Sequence, residues 1–204
     1  MSQALTTLFV EAGHEVRITN SRGPESLEEL VSTFGPLVQA STVAEAVPWA
    51  DAVFLATPWG KTAEAVSVVD DWSGVVVVDT TNNRTKPGPD GLIDIGDSVS
   101  SVIGAGYVPG AQVGKALNVT PIPWMSAALG ADSSDTNAVY IAGDDAAAKA
   151  LVSEIVASIG GVAVDAGDLA TGGRLLGMGG ALSSTLEMVS PDDARARVEA
   201  TRAG

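Results

Sequence analysis

Short runs of β-branched and apolar residues alternate with amphipathic stretches along most of the chain. The strand-like runs are Glu15–Asn20, Ala52–Ala56, Val75–Asp79, Ala111–Leu117, Ala138–Ala142 and Val162–Asp165, with Val38–Ala40 a weaker candidate. Helical spacing marks Gln3–Ala12, Glu25–Phe34, Val43–Trp49, Gly60–Val69 and Asp145–Ile159. Within the first of these, Leu5, Leu8, Phe9 and Ala12 share one face, and Gly13 follows as a left-handed stop. Strand–helix alternation of this kind predicts an α/β fold, a doubly wound parallel sheet with helices on both faces. The runs Val53–Ala56 and Val75–Val78 are apolar on both sides, as a central strand covered twice requires.

Local punctuation agrees with these assignments. Ser41 or Thr42 followed by Glu45 gives a capping-box-like helix start. Leu151, Ile155 and Ile159 line one face of a long helix that Gly160-Gly161 ends. Asn82–Asp97, rich in proline, glycine and aspartate, reads as a long loop. The tail from Ser190 is charged and alanine-rich and reads as either a helix or disorder. The order of elements holds one anomaly. A doubly wound sheet begins with a central strand, yet here the first element is a helix starting almost at Met1.

Composition narrows the chemistry. A chain of 204 residues suits one domain with an appendage, divided as residues 1–166 and 167–204. With 46% hydrophobic and 18% charged residues it can bury a core without metals or disulfides. Eleven basic against 25 acidic residues leave a net charge of −14, which repels nucleic acid. No cysteine and a single histidine exclude thiolate metal sites, iron–sulfur clusters, multi-histidine centres and cysteine nucleophiles. No apolar run reaches membrane-spanning length, and no leader pattern opens the chain, so a soluble cytoplasmic protein without a membrane partner is expected. Chemistry carried by a bound cofactor stays open, because the protein then only positions it.

The most specific run is Leu8-Phe9-Val10-Glu11-Ala12-Gly13-His14-Glu15-Val16, followed by Asn20-Ser21-Arg22-Gly23-Pro24-Glu25-Ser26-Leu27. Ala56-Thr57-Pro58-Trp59, Asp79-Thr80-Thr81-Asn82, Lys115-Ala116-Leu117-Asn118 and Ala142-Gly143-Asp144-Asp145 come after it in that order. On these motifs the chain, from Met1 to about Leu176, resembles the NADP-dependent oxidoreductase family typified by NADPH:coenzyme F420 reductase. The resemblance implies a Rossmann-like fold, NADP(H) as cofactor, and coenzyme F420, a deazaflavin, as hydride partner. Such a transfer needs two ring systems face to face and water excluded, but no protein nucleophile. That accords with the scarcity of histidine and cysteine.

The resemblance also implies a strand and a glycine-rich turn ahead of Gln3–Ala12. Ser2 falls where the last small residue of that fingerprint stands, so about ten residues of strand and loop are expected before it. A misplaced start, a shortened chain and a lost turn all remain open. The strand ending at Asn20 is then expected to lie beside an empty central position, its edge paired or covered by something else. A chain without the turn is expected to bind NADPH weakly and to turn over slowly or not at all.

Candidate site residues cluster where parallel strands end, since those ends line the ligand crevice of such sheets. After the strand following the first helix, Asn20, Ser21 and Arg22 replace the acid that NAD-preferring proteins place there. An arginine fork suits a 2′-phosphate, so NADP is expected over NAD; a plain surface turn is the alternative. Thr57, Pro58 and Trp59 offer a stiff turn and an apolar plate beside the cofactor, or simply a tryptophan packed between loop and helix. Thr80, Thr81 and Asn82 suit the nicotinamide carboxamide or a turn cap. Family members commonly carry proline after this asparagine, where Asn83-Arg84 stands here. Lys115 and Asn118 are candidate substrate contacts, against a solvated lysine and a structural asparagine; Leu117 stands where the family often has phenylalanine. His14 is expected to face solvent, and Arg174 to reach either a substrate anion or a surface salt bridge.

The expected protein is therefore an NADP(H)-dependent oxidoreductase acting on a small molecule, as a homodimer. A non-catalytic relative that has lost the phosphate-binding turn is one alternative. A reductase of an imine or small carbonyl, with Asn82–Asp97 shaping a new pocket, is another.

Overall fold

The computed structural model describes residues 1–86, 89–130, 137–183 and 188–203. Its strands are β1 (Val16–Ile18), β2 (Val38–Ala40), β3 (Ala52–Leu55), β4 (Val76–Asp79), β5 (Gln112–Ala116), β6 (Asn137–Gly143) and β7 (Gly161–Asp165). The helices are α1 (Ser2–Glu11), α2 (Glu28–Ser32), α3 (Val43–Ala46), α4 (Thr62–Val66), α5 (Ser100–Ala105), α6 (Ile122–Ala128), α7 (Ala146–Ser158), α8 (Gly172–Leu176) and α9 (Pro191–Ala203).

Side-chain alternation on the strands builds two core layers. Val76 and Val78 of β4 pack with Leu5, Leu8 and Phe9 of α1, Met125 of α6 and Val152 and Val156 of α7. Val77, between them, faces the other way and packs with Val66 of α4, Trp72 and Val108. β6 repeats the pattern. Val139 and Ile141 join the α7 side, while Ala138, Tyr140 and Ala142 pack with Leu176 of α8 and Ala194 and Val198 of α9. Helices thus cover both faces, and the fold is a Rossmann-like α/β sheet.

The strands fall into two groups. β1 and β2 pair in parallel as one sheet. The other runs β3-β4-β5-β6-β7. β1 and β3 share no ladder, and no described strand lies between them. The sheet is parallel from β3 to β5 and again between β6 and β7, but β5 and β6 are antiparallel, with Ala116 opposite Ile141. This departs from the all-parallel expectation: α6 packs against α1, and the chain enters β6 at the carboxyl end of β5, whereas α7 returns it to the start of β7, parallel to β6.

Several boundaries also differ. The expected helices Glu25–Phe34 and Gly60–Val69 each open as a single 3-10 turn, Pro24–Leu27 and Trp59–Lys61, before a five-residue α-helix. A proline at the start of each turn fixes the entry. α3 begins with the expected capping box, in which Thr42 and Glu45 exchange bonds. The tail beyond Ser190 is helix α9, held by its apolar stripe. Within the loop at Asn82–Asp97, Arg84 bridges Leu92 antiparallel, and Asn83 Nδ2 donates to the Ile93 carbonyl at 2.8 Å. No described helix is long and apolar enough to cross a membrane.

α5 and α8 pack closely because Gly173 has no side chain. A Cβ there would overlap the Ser101 hydroxyl, which donates to the Leu169 carbonyl at 2.9 Å. Gly173→Ala is expected to destabilise the fold by about 1–3 kcal/mol, by overpacking. Gly60→Ala, with nothing within 4 Å of its would-be Cβ, should stay within about 0.5 kcal/mol. Urea unfolding of both variants checks the pair.

Candidate functional site

Because β3, β4 and β5 are parallel neighbours, their carboxyl ends open at one end of the sheet. Thr57–Trp59, Thr80–Asn82 and Asn118 all follow those ends. Asn20–Arg22 follows β1, which also runs into α2 through a tight turn. Asn20 builds that turn: its Oδ1 accepts the Arg22 N–H at 2.8 Å, and its Nδ2 donates to Ser26 Oγ at 2.9 Å. Ser26 Oγ donates in turn to the Gly23 carbonyl at 2.8 Å, and Gly23 sits at φ +91°, a conformation glycine supplies cheaply. Asn20 is therefore committed to the turn, while Ser21 and Arg22 are exposed. Among the described residues the Arg22 guanidinium has no hydrogen-bond or ion-pair partner. A fixed turn carrying an exposed hydroxyl and an unpaired planar cation is a donor set that fits a phosphate monoester.

At the end of β3, Thr57 and Thr62 share a hydroxyl–hydroxyl bond of 2.9 Å, tying the turn to the start of α4. Pro58 is exposed and Trp59 half-buried. The Trp59 indole N–H is enclosed without a partner among the described residues. At the end of β4, Thr80 Oγ1 donates to the Leu55 carbonyl at 2.8 Å, lacing β4 to β3. Thr81 turns inward, its hydroxyl donating to Asp79 Oδ1 at 2.6 Å. Asn82 reaches across to the end of β5: its Nδ2 donates to the Asn118 carbonyl at 2.8 Å and its Oδ1 accepts from Asn118 Nδ2 at 3.0 Å. The same Asn118 amide donates to the Leu176 carbonyl at 2.8 Å. Asn82 retains one N–H and one lone pair for a ligand.

Lys115, expected as a substrate contact, lies beneath the crevice and is fully enclosed. Its Nζ donates to Asp79 Oδ2 and to the Thr81 carbonyl, both at 2.8 Å. The two-residue period of β5 aims it into the protein, so the solvated lysine does not hold, and its Nζ is committed to Asp79 and Thr81. Asp79, its partner, opens the Asp79-Thr80-Thr81-Asn82 motif but is not among the candidate site residues, although a lone acid closing the run Val75–Val78 is a signal. Leu117, beside Asn118, adopts φ +58°, the left-handed region that costs a bulky side chain energy. Below it lies a cavity of about 20 Å³, room for one water, lined in part by Leu117, Met125 and Tyr140. Burial pushes the Tyr140 hydroxyl above its ordinary pKa range, opposed by nearby Arg197.

Two other candidates fall outside the crevice. His14 does not simply face solvent: Nε2 lies 2.7 Å from Ser158 Oγ, and its ring meets Phe9 edge-on at 6.1 Å. It joins the ends of α1 and α7. Arg174 forms no salt bridge among the described residues; its Nη2 donates to the Asp97 carbonyl at 2.8 Å, pinning the end of the Asn82–Asp97 segment. Among the described residues no cluster of three His, Asp or Glu is placed to hold a metal ion.

Comparison with known proteins follows the same outline. Residues 1–83 match the family model for NADP oxidoreductase, coenzyme F420-dependent. Comparison with curated proteins gave no match. Among solved structures, the hypothetical protein SMa0349 from Sinorhizobium meliloti is 33% identical, with a TM-score of 0.81, covering 92% of this chain and 89% of that one. A protein assigned as an F420-dependent NADP reductase, from Arthrobacter sp. FB24, is 24% identical at TM-score 0.67, covering 82% and 80%. The imine reductase BcSIRED from Bacillus cereus BAG3X2 is 21% identical at TM-score 0.59; the match covers 84% of this chain but 52% of that enzyme, a likeness of fold alone. Its amino-terminal 83 residues thus resemble the coenzyme F420-dependent family of NADP oxidoreductases, and these structures share its fold over most of its length.

Proposed function

We propose that this NADP-dependent oxidoreductase transfers a hydride between NADP(H) and a deazaflavin of the coenzyme F420 type, in the crevice across the carboxyl ends of β1, β3, β4 and β5. The observation that carries the cofactor half is the turn at Asn20–Arg22. It presents an exposed arginine with no partner among the described residues, on a scaffold that Asn20 and Ser26 hold rigid. Ser21 and Arg22 would take the 2′-phosphate. Thr57, Pro58 and Trp59 would flank the cofactor, and Thr81 and Asn82 would frame the nicotinamide carboxamide, with the free N–H and lone pair of Asn82 as the direct contacts. Asn118 holds Asn82 in that posture. NADPH bound there supplies the hydride, and the protein's own work is to bind, orient and exclude water.

The F420 acceptor is favoured by the family model across residues 1–83. The same crevice is open to an imine or small carbonyl, and the paired residues Asn83, Arg84, Leu92 and Ile93 would form one wall for it.

Arg22→Ala is expected to weaken NADPH binding roughly ten- to a hundredfold, the loss of one charged hydrogen bond, and to leave NADH binding nearly unchanged. Calorimetric titration of both cofactors measures this; equal losses would make Arg22 a structural turn residue.

The acceptor is tested by mixing the protein anaerobically with NADP and reduced coenzyme F420 and following NADPH formation. NADPH appearing at a rate proportional to enzyme supports the proposal. Turnover with a cyclic imine or small ketone but not with F420 would replace the acceptor. NADPH binding without turnover of any acceptor would make the protein a non-catalytic relative.

A further inference from the structure

The Asp79–Lys115 pair is sealed from solvent, with exposures of 2% and 0% and a 2.8 Å contact. Burying such a pair is costly, and apolar residues of the same volume often stabilise a fold as well. Stability alone therefore gives a weak reason for it. Its contacts give a better one, because both partners converge on a single residue. Asp79 Oδ1 accepts the Thr81 N–H at 2.8 Å and the Thr81 hydroxyl at 2.6 Å, while Lys115 Nζ donates to the Thr81 carbonyl at 2.8 Å. The amide, hydroxyl and carbonyl of Thr81 are all held.

The neighbouring residues extend this grip to the crevice. Asn82, next in the chain, exchanges two amide bonds with Asn118, and Asn118 also grips the Leu176 carbonyl. Leu117, between Ala116 and Asn118, takes the strained left-handed conformation that directs this turn. α5 closes the pair from the side: a Cβ on Gly104 would stand 3.5 Å from Asp79 Oδ2.

We propose that Asp79 and Lys115 are positioning residues for the nicotinamide half of the NADP(H) site. They act through Thr81 to fix Asn82 and Asn118 and touch neither cofactor nor acceptor. The inference rests on the cofactor placement proposed above, and its test separates the two. Adenosine 2′,5′-bisphosphate probes the Ser21–Arg22 end alone, whereas NADPH probes both ends.

The double variant Asp79→Asn/Lys115→Met removes both charges together and leaves no orphaned ion. Thr81→Val removes only the hydroxyl contact and serves where the double variant does not fold. In calorimetric titrations each folded variant is expected to bind adenosine 2′,5′-bisphosphate within about twofold of the parent, while the double variant loses about tenfold in NADPH affinity and Thr81→Val several-fold. Equal losses for both ligands, or no loss for either, would overturn the proposal and leave the pair a packing element. Failure of the parent protein itself to bind adenosine 2′,5′-bisphosphate would overturn the cofactor placement and this inference with it.

Discussion

β4 is enclosed from both sides, and most of the architecture follows from that enclosure. All four of its residues are buried. Val76 and Val78 need one apolar layer and Val77 needs another. A strand in that position satisfies its backbone only by pairing on both edges. β3 and β5 do so in parallel, and parallel neighbours require a return path over the sheet faces. The returning helices supply the two apolar layers. The carboxyl ends of β3, β4 and β5 are thereby set side by side, and the candidate residues assemble there.

Enclosure also sets the cost of the two charges at the edge of this core. Asp79 ends β4, and Lys115 stands opposite it in register on β5. Neither is tolerable there alone. Together they neutralise each other and turn their remaining bonds on Thr81. The chemistry of the crevice floor, an asparagine pair bridging two strand ends, is thus built on a polar contact beneath it. Arg22 sits in the opposite regime, exposed and without an ion-pair partner among the described residues, on a chain of net charge −14. An exposed cation without an ion-pair partner gives an anionic ligand a contact in an otherwise acidic protein.

The second half of the sheet departs from the simple doubly wound pattern after β5. The chain enters β6 at the carboxyl end of β5, so the two strands run antiparallel. α8 then lies over β6 and brings the Leu176 carbonyl to Asn118. Residues after 166 in this way contribute backbone to the candidate site, although their charged sequence carries little sign of it.

Local sequence determined the elements whose signals are short-range. The Val75–Val78 run, the Thr42–Glu45 box and the apolar face of α7 each specify their structure through neighbours a few residues away. The strand ends at Asn20, Thr57, Asn82 and Asn118 were legible for the same reason, since a polar triplet after an apolar run marks where a buried strand emerges. Tertiary structure alone decided the direction of β6, the orientation of Lys115 and the left-handed Leu117. It also decided the partners of Arg174 and His14. The contacts of Lys115, His14, Arg174 and β6 are with groups 25 or more residues distant in the chain, such as Asp79 from Lys115 or Ser158 from His14. A lysine reads the same in sequence whether it faces water or an aspartate; only the register of β4 against β5 places the carboxylate that makes its burial possible.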